Sequence, residues 1–404
     1  MRRSFRLSYF ACFVALALLT ACSKDDDAPV QEKASRTVLV YIVADNNGLA
    51  SFASDDIAEM VEGYASVDAD KDNLLVYVDG NSTPCVIQLK KNKNGTVIQD
   101  TIYRYPEQNS LDVPVMSEVF ERTFAGFPAD SYGLVLWSHG DGWIPATTAS
   151  VSTRWFGYDE DTQMDISALK LALEAAPHFD FILSDACFMQ SVEVAYELSS
   201  CVDYFISSPT EIPGPGAFYT DVVPAMFQET STKKESAIAI ASGYYNYYNA
   251  KYNDGIGLSN SNWTAGVSVS VVESDKLDDL ATATKSLLPQ YISDGAVIGT
   301  SGILCYDPYR NKYYYDMYGL MKSLAGEGSA YTNWKIAFTN AVIWAETTDE
   351  NYCTDAFGSG SMHSMTGFSG LSIYIPRGNS ASTLNKFYHS YQWYTDGGWS
   401  DTGW

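Results

Sequence analysis

Short apolar runs alternate with segments of helical periodicity over the first half of the chain. The runs at 37–44, 73–79, 132–139 and 180–187 are apolar almost throughout and are bounded by polar or glycine-containing segments. Such runs are typical of strands that are buried on both faces of a parallel sheet. Helical periodicity lies between them, at 46–64, 115–124, 166–175 and 192–199, and a further strand is predicted at 203–207. This alternation predicts an α/β fold, with a mostly parallel sheet sandwiched by helices.

Two parts of the chain depart from this alternation. Residues 85–89 and 96–103 flank a polar turn that contains Asn94-Gly95, a dipeptide that predicts a β-hairpin. After about residue 260 the pattern becomes irregular, with strands predicted at 266–272 and 370–375 and helices at 276–288 and 332–345. We therefore predict one α/β domain over 37–260 and a smaller C-terminal α/β region over 261–404, packed against it.

The N-terminal residues predict export from the cytoplasm. Three arginines within the first six residues precede an apolar stretch at 10–21, which is too short to span a bilayer and is typical of a signal peptide. The stretch ends Leu-Thr-Ala-Cys22, which resembles the bacterial lipoprotein signal, cleaved before a cysteine that carries lipid. We expect residues 1–21 to be removed and Cys22 to be lipidated; an ordinary signal peptide with an incidental cysteine is the alternative.

The polar segment 22–36 is predicted to be a flexible tether. Its acidic run Asp25-Asp26-Asp27 resembles the export signal of surface lipoproteins, and a plain solvated linker is the alternative. The expected location is the cell envelope, with the protein lipid-anchored to the outer membrane and exposed at the surface if that signal is functional.

Composition and charge limit the classes of molecule that the protein can bind. Hydrophobic residues make up 46% of the chain and charged residues 18%, as in folded proteins. The net charge of −24 argues against nucleic acid, whose phosphates select basic surfaces. It also argues against contact with anionic lipid other than through a lipid anchor. A peptide or protein partner remains, and the sequence gives no indication of the oligomeric state.

A thiol and an imidazole end two of the predicted strands. His139 closes the run at 132–139 and Cys187 closes the run at 180–187. In open α/β sheets reactive groups gather beyond the carboxyl ends of the strands. A nucleophilic cysteine requires a base within reach of its sulfur. The sequence therefore predicts a cysteine peptidase in which Cys187 is the nucleophile and His139 is the base.

The chain has three other histidines. His178 begins the strand that Cys187 ends, so the length of that strand separates them by nearly 30 Å. His389 lies in a polar, aromatic tail without a partner signal. His363 lies in a Gly/Ser-rich segment and is the one alternative to His139 as the base.

Glycines follow His139 in Gly140-Asp-Gly142-Trp143. Glycine lets the backbone approach a substrate closely. The amides of Gly140 and Cys187 are therefore candidates for binding the oxyanion that forms when a thiolate attacks a carbonyl. A tight turn after a strand is the simpler interpretation of the same glycines.

The remaining cysteines and acids do not predict a metal site. Four cysteines outside the signal and the site are scattered without close pairs, and they are either buried thiols or form up to two disulfides: Cys85, Cys201, Cys305 and Cys353. Acidic residues crowd the loop at 159–165, but without the spacing of an EF-hand, and a solvated loop explains them. We expect no cofactor and no obligatory metal ion.

Four segments together resemble the clostripain family of cysteine peptidases, in the family's order and over roughly residues 37–375. They are Tyr41-Ile-Val-Ala-Asp-Asn-Asn47, Trp137-Ser-His-Gly-Asp-Gly-Trp143, Asp185-Ala-Cys-Phe-Met189 followed by Glu193, and Glu211-Ile-Pro-Gly-Pro-Gly216. The resemblance implies a caspase-like fold, a Cys/His dyad formed by Cys187 and His139, and cleavage after Arg or Lys.

The resemblance also implies roles for two further residues. Asp185, two positions before the nucleophile, matches the acid that binds the basic residue of the substrate; an Asp that only caps the following helix is the alternative. A second acid of some members falls where this chain has Pro215, so the preference for Arg or Lys is less secure than peptidase activity. Several members cut themselves after a basic residue between the dyad residues. In this chain the loop at 140–165 contains one basic residue, Arg154, so we predict cleavage after Arg154 on activation; a surface arginine in an ordinary loop is the alternative.

A second function class competes with the peptidase. The chain contains 29 tyrosines and 9 tryptophans, and aromatic faces suit sugars as well as protein cores. A catalytically silent surface lipoprotein that binds glycan or protein is therefore the alternative. It would have no need for a thiol and an imidazole at adjoining strand ends.

Overall fold

The computed structural model describes residues 33–404, apart from 46–47, 145–155, 160–161, 229–231, 255–263, 356 and 380–381. The predicted signal peptide, Cys22, most of the tether and Arg154 lie outside the described residues. Residues 33–404 form one structural unit. Within the described part of the chain, every helix is too short or too polar to cross a bilayer.

Fifteen strands are found among the described residues. They are β1 (Ala34–Val43), β2 (Asp72–Asp79), β3 (Cys85–Lys91), β4 (Val97–Arg104), β5 (Ala129–Trp137), β6 (Phe156–Asp159), β7 (Thr162–Met164), β8 (Phe179–Asp185), β9 (Val202–Ser207), β10 (Ser268–Glu273), β11 (Tyr314–Asp316), β12 (Val342–Thr347), β13 (Glu350–Thr354), β14 (Gly360–Ser364) and β15 (Ser372–Tyr374).

Eleven α-helices are described alongside them. They are α1 (Ala50–Tyr64), α2 (Val113–Gly126), α3 (Ile166–Leu173), α4 (Val192–Leu198), α5 (Tyr219–Phe227), α6 (Lys233–Asn253), α7 (Leu277–Tyr291), α8 (Met317–Ala325), α9 (Ser329–Ala341), α10 (Thr383–Tyr388) and α11 (Gln392–Asp396).

Nine of these strands form one sheet, in the order β12-β10-β9-β8-β5-β1-β2-β3-β4. The five central strands, β9, β8, β5, β1 and β2, pair in parallel, and both edges of the sheet are antiparallel. The α/β fold with a largely parallel central sheet is confirmed. Because the five central strands are parallel, their carboxyl ends all lie along the same edge of the sheet.

The central strands are apolar on both faces because helices cover both faces. In β1, Leu39, Tyr41 and Val43 face a core formed with α2, α3 and α4. The alternate residues, such as Val40 and Ile42, face a second core formed with α1, α5 and α6. Period-two alternation of the strand therefore divides the hydrophobic interior into two layers.

The predicted elements before residue 210 match observed ones, with shifts at their ends. The Asn94-Gly95 hairpin forms, and Gly95 has the positive φ of 79° that such a turn requires. β1 begins at Ala34, inside the segment assigned to the tether. The strands expected to end at His139 and Cys187 end two residues earlier.

The C-terminal region was predicted less well. The helix expected at 332–345 ends at Ala341, and the chain continues as β12, an edge strand of the main sheet. β10 belongs to the same sheet. The short strands β11, β13 and β14 had no clear sequence signal, because their alternation is brief and rich in tyrosine, serine and glycine. The boundary at 260–261 stays a prediction.

Candidate active site

The register of two neighbouring parallel strands brings the predicted thiol and imidazole to the same edge of the sheet. Trp137 of β5 pairs with Asp185 of β8, and both strands end at this pair. His139 and Cys187 each follow two residues later. Both line one cavity of about 680 Å³. His139 is exposed, and Cys187 is half-buried.

The turn after β8 holds Cys187 at the cavity wall. Phe188 has a φ of 60°, which costs a bulky residue roughly 1–2 kcal/mol. The turn persists because Phe188 is fully buried, stacks on Tyr314 at 5.6 Å and donates its amide to the carbonyl of Thr210 at 2.9 Å. Surrounding structure therefore maintains a strained backbone beside the thiol.

Gly140 lies against this turn. A Cβ atom at Gly140 would come within 2.7 Å of the Cβ of Ala186 and 2.9 Å of the carbonyl oxygen of Cys187. Only glycine allows the two strand ends to approach so closely. Neither the amide of Gly140 nor that of Cys187 donates a turn or loop hydrogen bond within the described part of the chain. The two expected oxyanion donors are thus brought together.

The surroundings of the thiol disfavour its ionisation. Burial raises the pKa of Cys187 most, and the charge of Glu211 raises it further. The amide of Ile212, which donates to the Cys187 sulfur at 3.3 Å, lowers the pKa again. Surrounding protein atoms also desolvate the ring of His139, although the residue is exposed at the cavity, and this desolvation lowers its pKa. A neutral imidazole that lines the same cavity as a protonated thiol is a candidate acceptor for the thiol proton.

Asp185 lines the cavity and is only 1% exposed, and Asp185 with its hydrogen-bond donors is called the base of the cavity. Its Oδ2 accepts hydrogen bonds from the amide of Ala217 and the hydroxyl of Tyr219, both at 2.8 Å. Its Oδ1 accepts from the hydroxyl of Tyr244 at 2.9 Å. Burial raises the pKa of Asp185 to about 6, and the three donors counteract that rise. The carboxyl is therefore mostly ionised at neutral pH.

A second buried acid, Asp56 of α1, lies near Asp185. Burial raises the pKa of Asp56 to about 10, and the charge of Asp185 is the next contribution. Neither of its carboxyl oxygens meets a hydrogen-bond partner among the described residues. Sequence reasoning missed Asp56, because it lies on an amphipathic helix far from the strand ends that marked the site.

A second part of the cavity lining, called the rim and formed by Asp141, Glu211 and Arg310, carries a charged group that sequence reasoning also missed. Arg310 forms a two-pronged ion pair with Asp141, at 3.0 and 3.3 Å, and lies 3.7 Å from Glu211. Glu211 also accepts from the amide of Thr354. Arg310 comes from the irregular C-terminal half, where no local pattern connected it with the strand ends.

The other histidines lie away from this cavity. His178 is at the start of β8, as expected, and contacts Ser200 and Asp203. His363 is buried in β14, with its ring 6.2 Å from that of Tyr309. His389 stacks on Tyr394. Among the described residues that line the cavity, His139 is the only histidine.

The described cysteines are all free thiols. The four left open as thiols or disulfides do not pair with one another: Cys85, Cys201, Cys305 and Cys353. Burial raises the pKa of each of them, as it does for Cys187, so the pKa alone does not identify the nucleophile. Of these thiols and Cys187, only Cys187 lines the cavity with a histidine.

Comparison with known proteins places this geometry in a family. The model of the clostripain family, peptidase family C11, matches residues 40–404. The chain is 22% identical over 403 residues to clostripain of Hathewaya histolytica, which covers 85% of this chain and 75% of that protein.

Two solved structures are similar to most of this chain. A secreted C11 cysteine protease from Bacteroides thetaiotaomicron, in complex with an irreversible peptide inhibitor, is 51% identical with a TM-score of 0.82. An inactive zymogen C11 protease from Parabacteroides distasonis is 33% identical with a TM-score of 0.77. Each comparison covers 91% of this chain and 99% of the other.

The family assignment favours catalysis over the glycan-binding alternative. The family match over 40–404, the sheet and the cavity that holds a thiol and an imidazole all agree with a peptidase. The chain belongs to the clostripain family and is a cysteine peptidase with a caspase-like fold.

Proposed function

We propose that this peptidase cleaves peptide bonds after Arg or Lys by means of a Cys187–His139 dyad. The observation that carries the proposal is the strand register, which sets both side chains two residues beyond a paired position and on one cavity. No third residue is needed to orient the imidazole in this scheme.

In the first half of the reaction, His139 takes the proton of the Cys187 thiol as the sulfur attacks the scissile carbonyl. The raised pKa of Cys187 makes this transfer necessary, since few thiolates exist without it. The amides of Gly140 and Cys187 stabilise the negative oxygen. His139 then protonates the leaving amine, and water releases the acyl group from the sulfur.

The base of the cavity supports selection of a basic side chain. Asp185 is ionised at neutral pH, and its three hydrogen-bond donors are neutral groups. Its negative charge therefore remains available to a guanidinium or ammonium group. Asp56 lies near Asp185 but does not replace the acid that Pro215 cannot supply, because burial raises the pKa of Asp56 to about 10 and keeps it neutral at pH 7.

Self-cleavage after Arg154 accompanies activation in this proposal. The cut would fall next to β6, and Phe156 of β6 bridges Gly140 beside the dyad. A break there would free the end of the segment that bridges Gly140, which is one of the two proposed oxyanion donors. The solved zymogen of a related protease supports an inactive precursor in this family.

The protein acts outside the cytoplasm, anchored through lipid on Cys22 to the outer membrane and displayed at the surface. The N-terminal pattern supports this location, and the similar protease of Bacteroides thetaiotaomicron is described as secreted. Its partners are peptide or protein substrates.

A peptide-library cleavage profile of the mature protein tests the function. We expect cuts after Arg and Lys, loss of cleavage in Cys187→Ala, and a fall of about a thousandfold in kcat in His139→Ala, because a general base contributes on that order. His389→Ala and Cys201→Ala serve as matched controls and should retain activity. Hydrolysis that persists in Cys187→Ala would reject the dyad, and a profile without basic residues would reject the specificity alone.

A further inference from the structure

One tyrosine of the C-terminal half contacts both of the turns that carry the proposed dyad. Tyr314 begins β11, and it is fully buried. Its hydroxyl donates to the carbonyl of Asp141 at 2.9 Å and accepts from the amide of Trp143 at 3.2 Å. The hydroxyl is therefore bonded to the backbone on both sides of Gly142, in the turn that follows His139.

The ring of Tyr314 contacts the other turn. It stacks on the ring of Phe188, with the centroids 5.6 Å apart and the planes 18° from parallel. Phe188 follows Cys187 directly in the chain and has the strained φ of 60°. A shift of either turn relative to the other would break contacts of this one side chain. Tyr314 thus connects the backbone next to the imidazole with the backbone next to the thiol.

Gly142 leaves room for the tyrosine hydroxyl. Its φ is 81°, in the region that favours glycine. A Cβ atom at this position would come within 1.9 Å of the hydroxyl oxygen of Tyr314. The second glycine after His139 is therefore required by a close approach from a distant part of the chain, in addition to the turn itself.

The surrounding chain holds Tyr314 firmly. Its amide and that of Tyr313 donate to the two carboxyl oxygens of Asp307, each at 3.0 Å. Its carbonyl accepts from the amide of Tyr306 at 2.8 Å, and β11 pairs with β15. Precise placement of reactive groups requires supporting residues that are themselves fixed in this way.

A second hydroxyl supports the turn that follows His139. Tyr391 donates to the carbonyl of Trp143 at 3.1 Å, and its ring lies 5.0 Å from that of Trp143. Tyr391 immediately precedes α11, so it reaches the turn from a different element than Tyr314 does. The C-terminal half of the chain therefore anchors this turn at two points.

We propose that Tyr314 is a positioning residue for the dyad, and that Tyr391 is a second anchor of the same turn. The inference rests on the proposed Cys187–His139 dyad and adds the residues that set its geometry. Tyr314 is not among the described residues that line the cavity, so it acts through the two turns and does not touch the substrate.

The expected contribution is to the chemical step. A displacement of about 1 Å in a reacting group can cost on the order of a hundredfold in rate. Loss of the Tyr314 hydroxyl leaves the ring in place, so we expect a smaller displacement and a smaller loss. Substrate binding at Asp185 depends on other donors and should not change.

Tyr314→Phe in the full mature protein removes the hydroxyl and keeps the stack on Phe188. We expect kcat for an Arg peptide to fall about tenfold while KM changes by less than about twofold, because Asp185 still binds the substrate. Alkylation of Cys187 by iodoacetamide at neutral pH should also slow, since His139 is less well placed to take the thiol proton. A tyrosine with a purely structural role would lower the melting temperature without changing either rate.

Tyr306→Phe is the matched control. Tyr306 is as fully buried as Tyr314, and its hydroxyl donates to Asp316 at 2.7 Å. This variant should lose a comparable amount of thermal stability and keep the kcat and the alkylation rate of the parent. If Tyr314→Phe does not fold, Tyr391→Phe takes its place, because it removes the second anchor and leaves β11 intact; the same fall in kcat without a change in KM is expected.

The outcomes separate this inference from the proposed function. Parent values of kcat and alkylation rate in the folded anchor variant, a loss confined to KM, or an equal loss of kcat in Tyr306→Phe would overturn the positioning role alone. Hydrolysis that persists in Cys187→Ala would instead reject the dyad on which that role depends.

Discussion

The base and the rim of the cavity both contain buried carboxylates, but they balance the charge in different ways. At the rim, Arg310 neutralises Asp141 and lies close to Glu211. At the base, Asp185 is held by an amide and two tyrosine hydroxyls, all of them neutral. Neutral donors stabilise the carboxylate and leave its charge in place. The rim is thus balanced by Arg310 of the chain itself, whereas the base keeps a negative charge that a basic substrate side chain would balance in the proposed function.

Asp185→Asn tests the base of the cavity most directly. We expect kcat/KM for Arg and Lys substrates to fall about a hundredfold or more, because the charged partner of the substrate is lost. In the parent, KM for these substrates should rise as the pH falls through about 6, where Asp185 becomes protonated. The variant should lose this pH dependence.

Peptides with a neutral glutamine at the cleaved position provide the control. Their slow cleavage should change little in Asp185→Asn and should not follow the pKa of Asp185. An equal loss for both kinds of substrate would indicate general damage to the site and contradict a role in specificity.

Arg310→Met tests the rim. Removing one partner of a buried ion pair costs on the order of 3 kcal/mol of stability, and it takes away the positive charge that lies next to Asp141 and Glu211. The pKa of Cys187 should rise further, since Arg310 at present lowers it. We expect kcat/KM to fall by about tenfold, with activity shifted to higher pH.

Arg310→Lys should recover part of this loss, because it restores the charge but not the two-pronged geometry. Arg104→Met removes an exposed arginine of β4 and is the matched control. An unchanged pH profile and melting temperature in Arg310→Met would mean that the rim does not need its internal cation.

Tyr244→Phe removes one hydrogen bond to Asp185 at the base of the cavity, without removing the charge of Asp185. The hydroxyl of Tyr244 lowers the pKa of Asp185, so its loss should raise that pKa. The pH at which KM rises for Arg substrates should then move upward, with an effect of only a few-fold at pH 8. Tyr245→Phe, whose hydroxyl bonds to the carbonyl of Thr347, is the control on the same helix.

Asp56→Asn should have the smallest effect on activity, because the pKa of about 10 keeps Asp56 neutral at pH 7. Its effect should appear in stability. The folded-state pKa lies above the unfolded one, so the wild-type residue increasingly destabilises the fold as the pH rises from about 4 to 10. Thermal unfolding in the Cys187→Ala background should therefore show a higher melting temperature for Asp56→Asn at pH 8, with the difference shrinking towards pH 4. A lower melting temperature at pH 8 would contradict this.

The sequence predicted the part of the site that depends on strand ends. A strand that is apolar throughout must be buried, and a reactive residue directly after it must lie at an edge of the sheet. That argument predicted Cys187 and His139 as site residues from their positions after the strands, and the family resemblance added Asp185. It placed the strand ends two residues too late, since Ser138 and Ala186 suit a strand as well as a turn.

The sequence by itself determined the parallel sheet, its covering helices and the positions of a thiol and an imidazole after two of the strands, because each is encoded in local periodicity and in position along a strand. Only the tertiary structure decided which distant charges meet. Arg310 reaches Asp141, and Asp56 lies near Asp185, through contacts between residues far apart in the chain. No local pattern records such contacts, because they follow from how whole elements pack together.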